Sequence, residues 1–84
     1  MFDLDAQWRL HPQVELRPEP FGALLYHFGT RKLSFLKNTT VVDVVRSLPD
    51  HASARLALRA ADAETDAYHK ALESLATSQM LVRA

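Results

Sequence analysis

The sequence predicts an α+β domain: a three-stranded antiparallel sheet followed by three helices, in a winged helix-turn-helix-like order. Three observations carry that prediction. Aromatic and β-branched residues crowd the first half, whereas alanine and leucine dominate from Ala52 onward. Both glycines and all four prolines lie at or before Pro49. The apolar period changes from 2 to 3.6 after Asn38. Eighty-four residues with 48% apolar letters leave room for one core, so residues 1–84 are expected to form one domain.

The strands are expected at about 13–17, 23–28 and 31–37. Gly29-Thr30 suits a two-residue type II′ hairpin, which pairs Tyr26 with Leu33 and Leu24 with Phe35. The loop from Pro18 to Gly22 then pairs Leu16 with Leu24 and Val14 with Tyr26. One face collects Val14, Leu16, Leu24, Tyr26, Leu33 and Phe35 and is expected to be buried. The other shows Glu15, Arg17, His27, Lys32 and Ser34, with Leu25 and Leu36 as apolar exceptions. Those two leucines are either isolated surface residues or a spot where a partner docks.

The helices are expected at about 40–48, 52–60 and 63–78. Val41, Val44, Val45 and Leu48 recur at helical spacing, and Thr40 to Asp43 matches a capping box with Asn38 or Thr39 beside it. The valine run also suits a strand, although the cap and the spacing favour a helix. Pro49 stops this element, Asp50 is a cap for the second helix, and Asp62 is one for the third. Tyr68, Ala71, Leu72 and Leu75 form the third helix's inward stripe, and Met80 to Val82 follow as an extended tail.

Composition excludes several chemistries. Without cysteine there is no disulfide, thiolate nucleophile, iron–sulfur cluster or cysteine-held zinc. No apolar run approaches the ~20 residues of a membrane span. Asp3 and Asp5 stand where a signal peptide carries a basic patch, so a cytoplasmic location is expected. Asp66, His69 and Glu73 share a helix face, but a solvated polar face explains them and no metal is expected. No serine lies in a nucleophile-elbow context and no glycine loop cradles phosphate, so the chain is expected to be no enzyme.

A winged-helix order raises the alternative of a small nucleic-acid-binding regulator. Between Asp62 and Ser78, however, Asp62, Glu64, Asp66 and Glu73 face Lys70 alone, a net charge of −3. Such a helix is repelled by a phosphate backbone. Arg31, Lys32 and Lys37, with Arg55 and Arg59 elsewhere, serve either as edge protection or as contacts for an acidic partner.

The runs Trp8-Arg9-Leu10-His11-Pro12, Val14 to Arg17, Phe21-Gly22-Ala23-Leu24-Leu25-Tyr26-His27 and Arg31-Lys32-Leu33-Ser34-Phe35-Leu36 resemble the peptide chaperones of mycofactocin biosynthesis. These belong to the PqqD-like peptide-recognition domains of ribosomally made, modified peptide pathways. The resemblance implies a non-catalytic protein without a cofactor. Such a protein binds the leader of a short precursor peptide and presents it to a radical S-adenosylmethionine maturase with iron–sulfur clusters. That enzyme decarboxylates the precursor's terminal tyrosine and cross-links it to the preceding valine. The absence of cysteine agrees with a division of labour in which the partner holds the clusters.

The resemblance further implies that the leader adds as a strand beside the third, in the cleft against the third helix. The corresponding residues are Arg31, Lys32, Leu33, Ser34, Phe35, Leu36 and Lys37, and the helix from Ala63 to Ser78. Strand addition needs a free sheet edge, and the meander leaves the third strand as one. On a helical wheel Ala67, Ala71, Ser74 and Ser78 fall beside the core stripe, either as a floor for the peptide or as small residues for tight packing. An open edge also permits strand-exchanged dimers, or use by a structural subunit of another complex.

Overall fold

A computed structural model describes residues 2–84. Its elements run β1 (Trp8–Leu10), β2 (Val14–Glu19), β3 (Gly22–His27), β4 (Leu33–Leu36), α1 (Thr39–Ser47), a 3-10 turn (Leu48–Asp50), α2 (Ala54–Ala60), α3 (Asp66–Thr77) and β5 (Leu81–Arg83). The three-stranded sheet has the antiparallel order β2-β3-β4 and precedes three α-helices. A second sheet, not expected from the sequence, pairs β1 antiparallel with β5, Trp8 opposite Arg83 and Leu10 opposite Leu81. Neither segment exceeds three residues, too short for alternation to reveal a strand.

The expected buried face is corrected. β3 and β4 keep the expected register, Tyr26 opposite Leu33 and Leu24 opposite Phe35. β2 is shifted by one residue, with Leu16 opposite Leu25 and Val14 opposite His27. The reason lies in the connection: Glu19 pairs with Gly22, so only Pro20 and Phe21 form the turn. A one-residue slip brings the opposite face of the neighbour alongside. Val14 and Leu16 still pack on the core, joined by Ala23, Leu25 and Leu36. Leu33 and Phe35 instead remain 53% and 57% exposed. Leu25 and Leu36, read as exceptions on a polar face, are core residues and no docking spot. His27, assigned to that polar face, is buried as well.

The β3–β4 connection also differs from a two-residue II′ turn. Neither Gly29 nor Thr30 adopts a positive φ, whereas Arg31 does, at 62°. The His27 N–H donates to the Lys32 carbonyl at 3.0 Å, closing a four-residue loop. His27 organises that loop with its ring: Nδ1 accepts from the N–H groups of Gly29 at 3.0 Å and Thr30 at 3.1 Å. The side chain thus satisfies turn donors that lack a backbone partner.

Asn38 caps α1, its Oδ1 accepting the Val41 N–H at 2.8 Å. Val41, Val42, Val44, Val45 and Leu48 are buried, so the valine run is a helix. The caps of α2 and α3 are Ser53 and Thr65, not Asp50 and Asp62. Asp62 closes the end of α2 instead, with φ 54° and its N–H on the Arg59 carbonyl, while the Ala63 N–H reaches back to Leu58. Gln79, at φ 65°, ends α3 in the same way. Both are Schellman ends without the usual glycine, which hid them from the sequence.

The N-terminal segment ties the molecule together. The carbonyls of Ala6 and Leu4 accept from Ala54 and Arg55 in the first turn of α2. Trp8 stacks on Phe2 with ring centroids 4.5 Å apart and donates its indole N–H to the Asp3 carbonyl at 2.8 Å. The Met80 carbonyl accepts from His11, placing β5 after α3 and beside β1. No helix is long and apolar enough to cross a membrane among the described residues.

Candidate functional site

The free edge of β4 is defined by its ladder. The His27 N–H donates to the Lys32 carbonyl, which sets the phase of the ladder, because antiparallel pairs alternate between bonded and non-bonded. With Leu25 opposite Ser34 and Ala23 opposite Leu36, the backbone groups of Lys32, Ser34 and Leu36 turn inward to β3. Those of Leu33 and Phe35 turn outward, where no strand among the described residues pairs with them. The edge is a row of alternating donors and acceptors about two residues long, extended by Lys37.

A groove of about 390 Å³ runs beside this edge. Leu36, Lys37 and Asn38 border it from the strand side, Ala71, Ser74 and Leu75 from α3, with Val41 from α1. An adjoining depression of about 460 Å³ is lined by Lys32, Lys70, Glu73, Ser74, Thr77 and Ser78. Ser74 belongs to both. The side chains that Ala71 and Ser74 bring to the groove from α3 are small. The hydroxyl of Ser78 donates to the carbonyls of Ser74 at 3.1 Å and Leu75 at 3.3 Å, so it serves the helix end.

The expected residues therefore separate. Ser34, Phe35, Leu36, Lys37, Ala71 and Ser74 meet in the groove, and Lys32 and Ser78 in the depression. Leu33 lies on the outer sheet surface. Arg31 is in the loop before the strand, and Ala67 is exposed and lines neither hollow. Val41, Leu75 and Asn38 line the groove without having been singled out for it. The first two lay in helical apolar stripes, which do not distinguish a residue under a groove from one under a neighbour.

Electrostatics divides the basic residues into two groups. Arg55 binds Asp5 and Glu64, and Arg59 binds Glu64, each at 3.0 Å. The guanidiniums of Arg59 and Arg55 hold the Glu64 carboxyl below its ordinary range. Donating hydrogen bonds to the carboxylates of Asp5 and Glu64 raises Arg55 in turn. These two arginines are matched within the chain. Arg31, Lys32 and Lys37 make no ion pair among the described residues and surround the β4 edge.

An unpaired strand edge beside a shallow groove, without a cluster of potential metal ligands among the described residues, defines a small α+β binding domain. The chain belongs to the Peptide chaperone MftB family, whose family model matches residues 7–82. It is 66% identical to the peptide chaperone MftB of Mycobacterium ulcerans over 84 aligned residues, covering 96% of this chain and 77% of the relative. The Mycolicibacterium smegmatis peptide chaperone MftB is also 66% identical, with 96% and 82% covered. The Mycobacterium tuberculosis relative of the same name is 62% identical, with 96% and 77% covered. No solved structure matches the chain.

Proposed function

We propose that this protein is a non-catalytic peptide chaperone of mycofactocin biosynthesis. It binds the leader of the precursor peptide by strand addition at β4 and presents it to a radical S-adenosylmethionine maturase in the cytoplasm. Family membership supports the chaperone role and the absence of catalysis. The observation that carries the mode of binding is the outward set of backbone groups at Leu33 and Phe35, directly beside the groove on α3. We read the sheet and three helices as winged helix-turn-helix-like, with the groove in place of a nucleic-acid contact.

A strand beside β4 forms roughly four to six backbone hydrogen bonds, each contributing about 0.5–1.5 kcal/mol net. Ordering the peptide opposes much of this, so apolar burial against Val41, Ala71 and Leu75 supplies the remainder. Arg31, Lys32 and Lys37 favour a leader carrying Asp or Glu, although exposed pairs contribute only about 0.2–1 kcal/mol each. The third helix is a poor match for nucleic acid: it carries Asp66 and Glu73 against Lys70, and Arg55 and Arg59 on α2 are already paired.

The test is backbone amide shift mapping with synthetic precursor peptide and, separately, with duplex DNA. The peptide is expected to move the amides of 31–37 and 71–75 most, with DNA causing no saturable change. Largest peptide shifts on β2, or saturable DNA binding on α3, would overturn the assignment.

A further inference from the structure

The outer surface of the three-stranded sheet is apolar where a solvated face would be polar. Phe21, Phe28, Leu33 and Phe35 are exposed large apolar residues, and Leu24 and Tyr26 lie half-buried among them. The rings of Phe21 and Phe35 stand 6.0 Å apart, and those of Tyr26 and Phe28 pack edge to face at 4.9 Å. Leu24, Tyr26, Phe28 and Leu33 share a hollow of about 210 Å³ with Glu15 and Arg17. Antiparallel sheets normally carry polar residues on an uncovered face. A contiguous apolar patch that is left open marks a surface that becomes covered.

Two of these residues identify the occupant. Leu33 and Phe35 belong to β4, and their outward backbone groups are the ones a peptide strand would use. Side chains of an added strand alternate between the two faces of the sheet. One set points into the groove on α3. The other must stand beside Leu33 and Phe35, at the roughly 4.5–5.5 Å spacing of directly opposed cross-strand pairs. Strand addition at this edge thus shields the β4 side of the outer face as a geometric consequence, and Phe21, its ring tilted against that of Phe35, widens the surface offered.

We infer that the peptide is gripped on both faces of its strand: alternate residues enter the groove on α3, and the intervening ones pack on Leu33, Phe35 and Phe21. This rests on strand addition at β4 and adds a specificity to it. The chemical class selected is a segment apolar at consecutive positions, not one with the alternating apolar and polar residues of a one-sided strand. A polar outer row would leave Phe35 and Leu33 against unpaired polar groups or water.

The decisive measurement combines the unaltered protein with the Leu33→Thr/Phe35→Thr double variant. Threonine retains strand preference, and both side chains are more than half exposed, so the variant is expected to melt close to the parent. In the parent, nuclear Overhauser contacts are expected from methyl or aromatic protons of synthetic precursor peptide to the Phe35 ring. In the double variant, peptide affinity is expected to fall at least tenfold while the amides of Ser34 and Lys37 still shift at saturation. Unchanged affinity with those shifts preserved would overturn the outer-row contact and leave strand addition standing. A parent that sediments as a dimer, converted to monomer by the variant without loss of peptide affinity, would assign the face to a second copy and overturn the inference. Absence of edge shifts in the parent would remove strand addition and this inference together. The contacts to Phe35 need no variant, so a folding defect in the double variant leaves the question decidable.

Discussion

Leu25 and Ser34 stand directly opposite one another across β3 and β4, and this pairing determines which amides of the edge are free. It belongs to the bonded set, two residues along from His27 and Lys32. Ser34 therefore serves the sheet, and its neighbours Leu33 and Phe35 face the space a peptide would occupy.

Proline substitutions at adjacent residues are expected to part company. Ser34→Pro deletes a ladder donor and leaves the Leu25 carbonyl without its partner, at a cost of about 1–3 kcal/mol. For a domain of this size that lowers Tm by about 4–8 °C per kcal/mol. Leu33→Pro removes an outward N–H, a position where an edge strand tolerates proline. Its melting temperature should change little, and peptide affinity should fall by up to roughly tenfold, as one lost bond of about 0.5–1.5 kcal/mol implies. Thermal melts with peptide titrations on both variants check this, and a reversed pattern would move the free edge to the other set of amides.

The two faces of the sheet make a second, purely structural prediction. Leu25→Ala empties a fully buried position and is expected to cost about 2–5 kcal/mol. Leu33→Ala removes a half-exposed side chain and should stay within about 0.5 kcal/mol. Urea denaturation of the two variants measures the difference directly.

Gly22 adopts φ 147°, and a Cβ there would overlap the carbonyl oxygen of Leu36, with the Asn38 N–H also nearby. Gly22→Ala is expected to destabilise by about 1–3 kcal/mol through backbone strain. The displaced Leu36 and Asn38 border the groove, so peptide affinity should fall as well. Chemical denaturation and peptide titration of the same samples separate the two effects.

The Arg55–Glu64–Arg59 cluster predicts a pH dependence of stability. Glu64 is depressed in the folded protein, so its contribution is present in full above the ordinary glutamate range. As pH falls through the folded value, protonation removes it. Glu64→Gln should therefore melt below the parent at neutral pH, and the two curves should converge in acid. Thermal melts of both proteins from neutral to acid pH test the sign. A gap that widened in acid would contradict the pairing.

How far the sequence alone determines this protein differs from element to element. The valines of α1 repeat at helical spacing behind Asn38, and local periodicity with a cap was enough to place that helix. The β3–β4 register followed from the chain returning around Gly29, even though the loop proved longer and His27 holds it. The free edge at 33–36 was legible because a meander leaves its last strand unpaired. Which sheet face is buried was not legible. Leu24-Leu25-Tyr26 and Leu33 to Leu36 are apolar on both sides, so alternation has no preferred phase. That choice falls to the layer beneath, where α1 and the Leu36–Asn38 junction seat Leu25 and Leu36 in the core and leave Leu33 and Phe35 outside. The same limit hid β1 and β5: three-residue strands lack an alternation of their own and exist because α3 returns the chain beside Trp8. Local spacing determined the elements and the open edge. The long-range packing of helices on one side of a doubly apolar sheet determined what the groove and the outer face present to a partner.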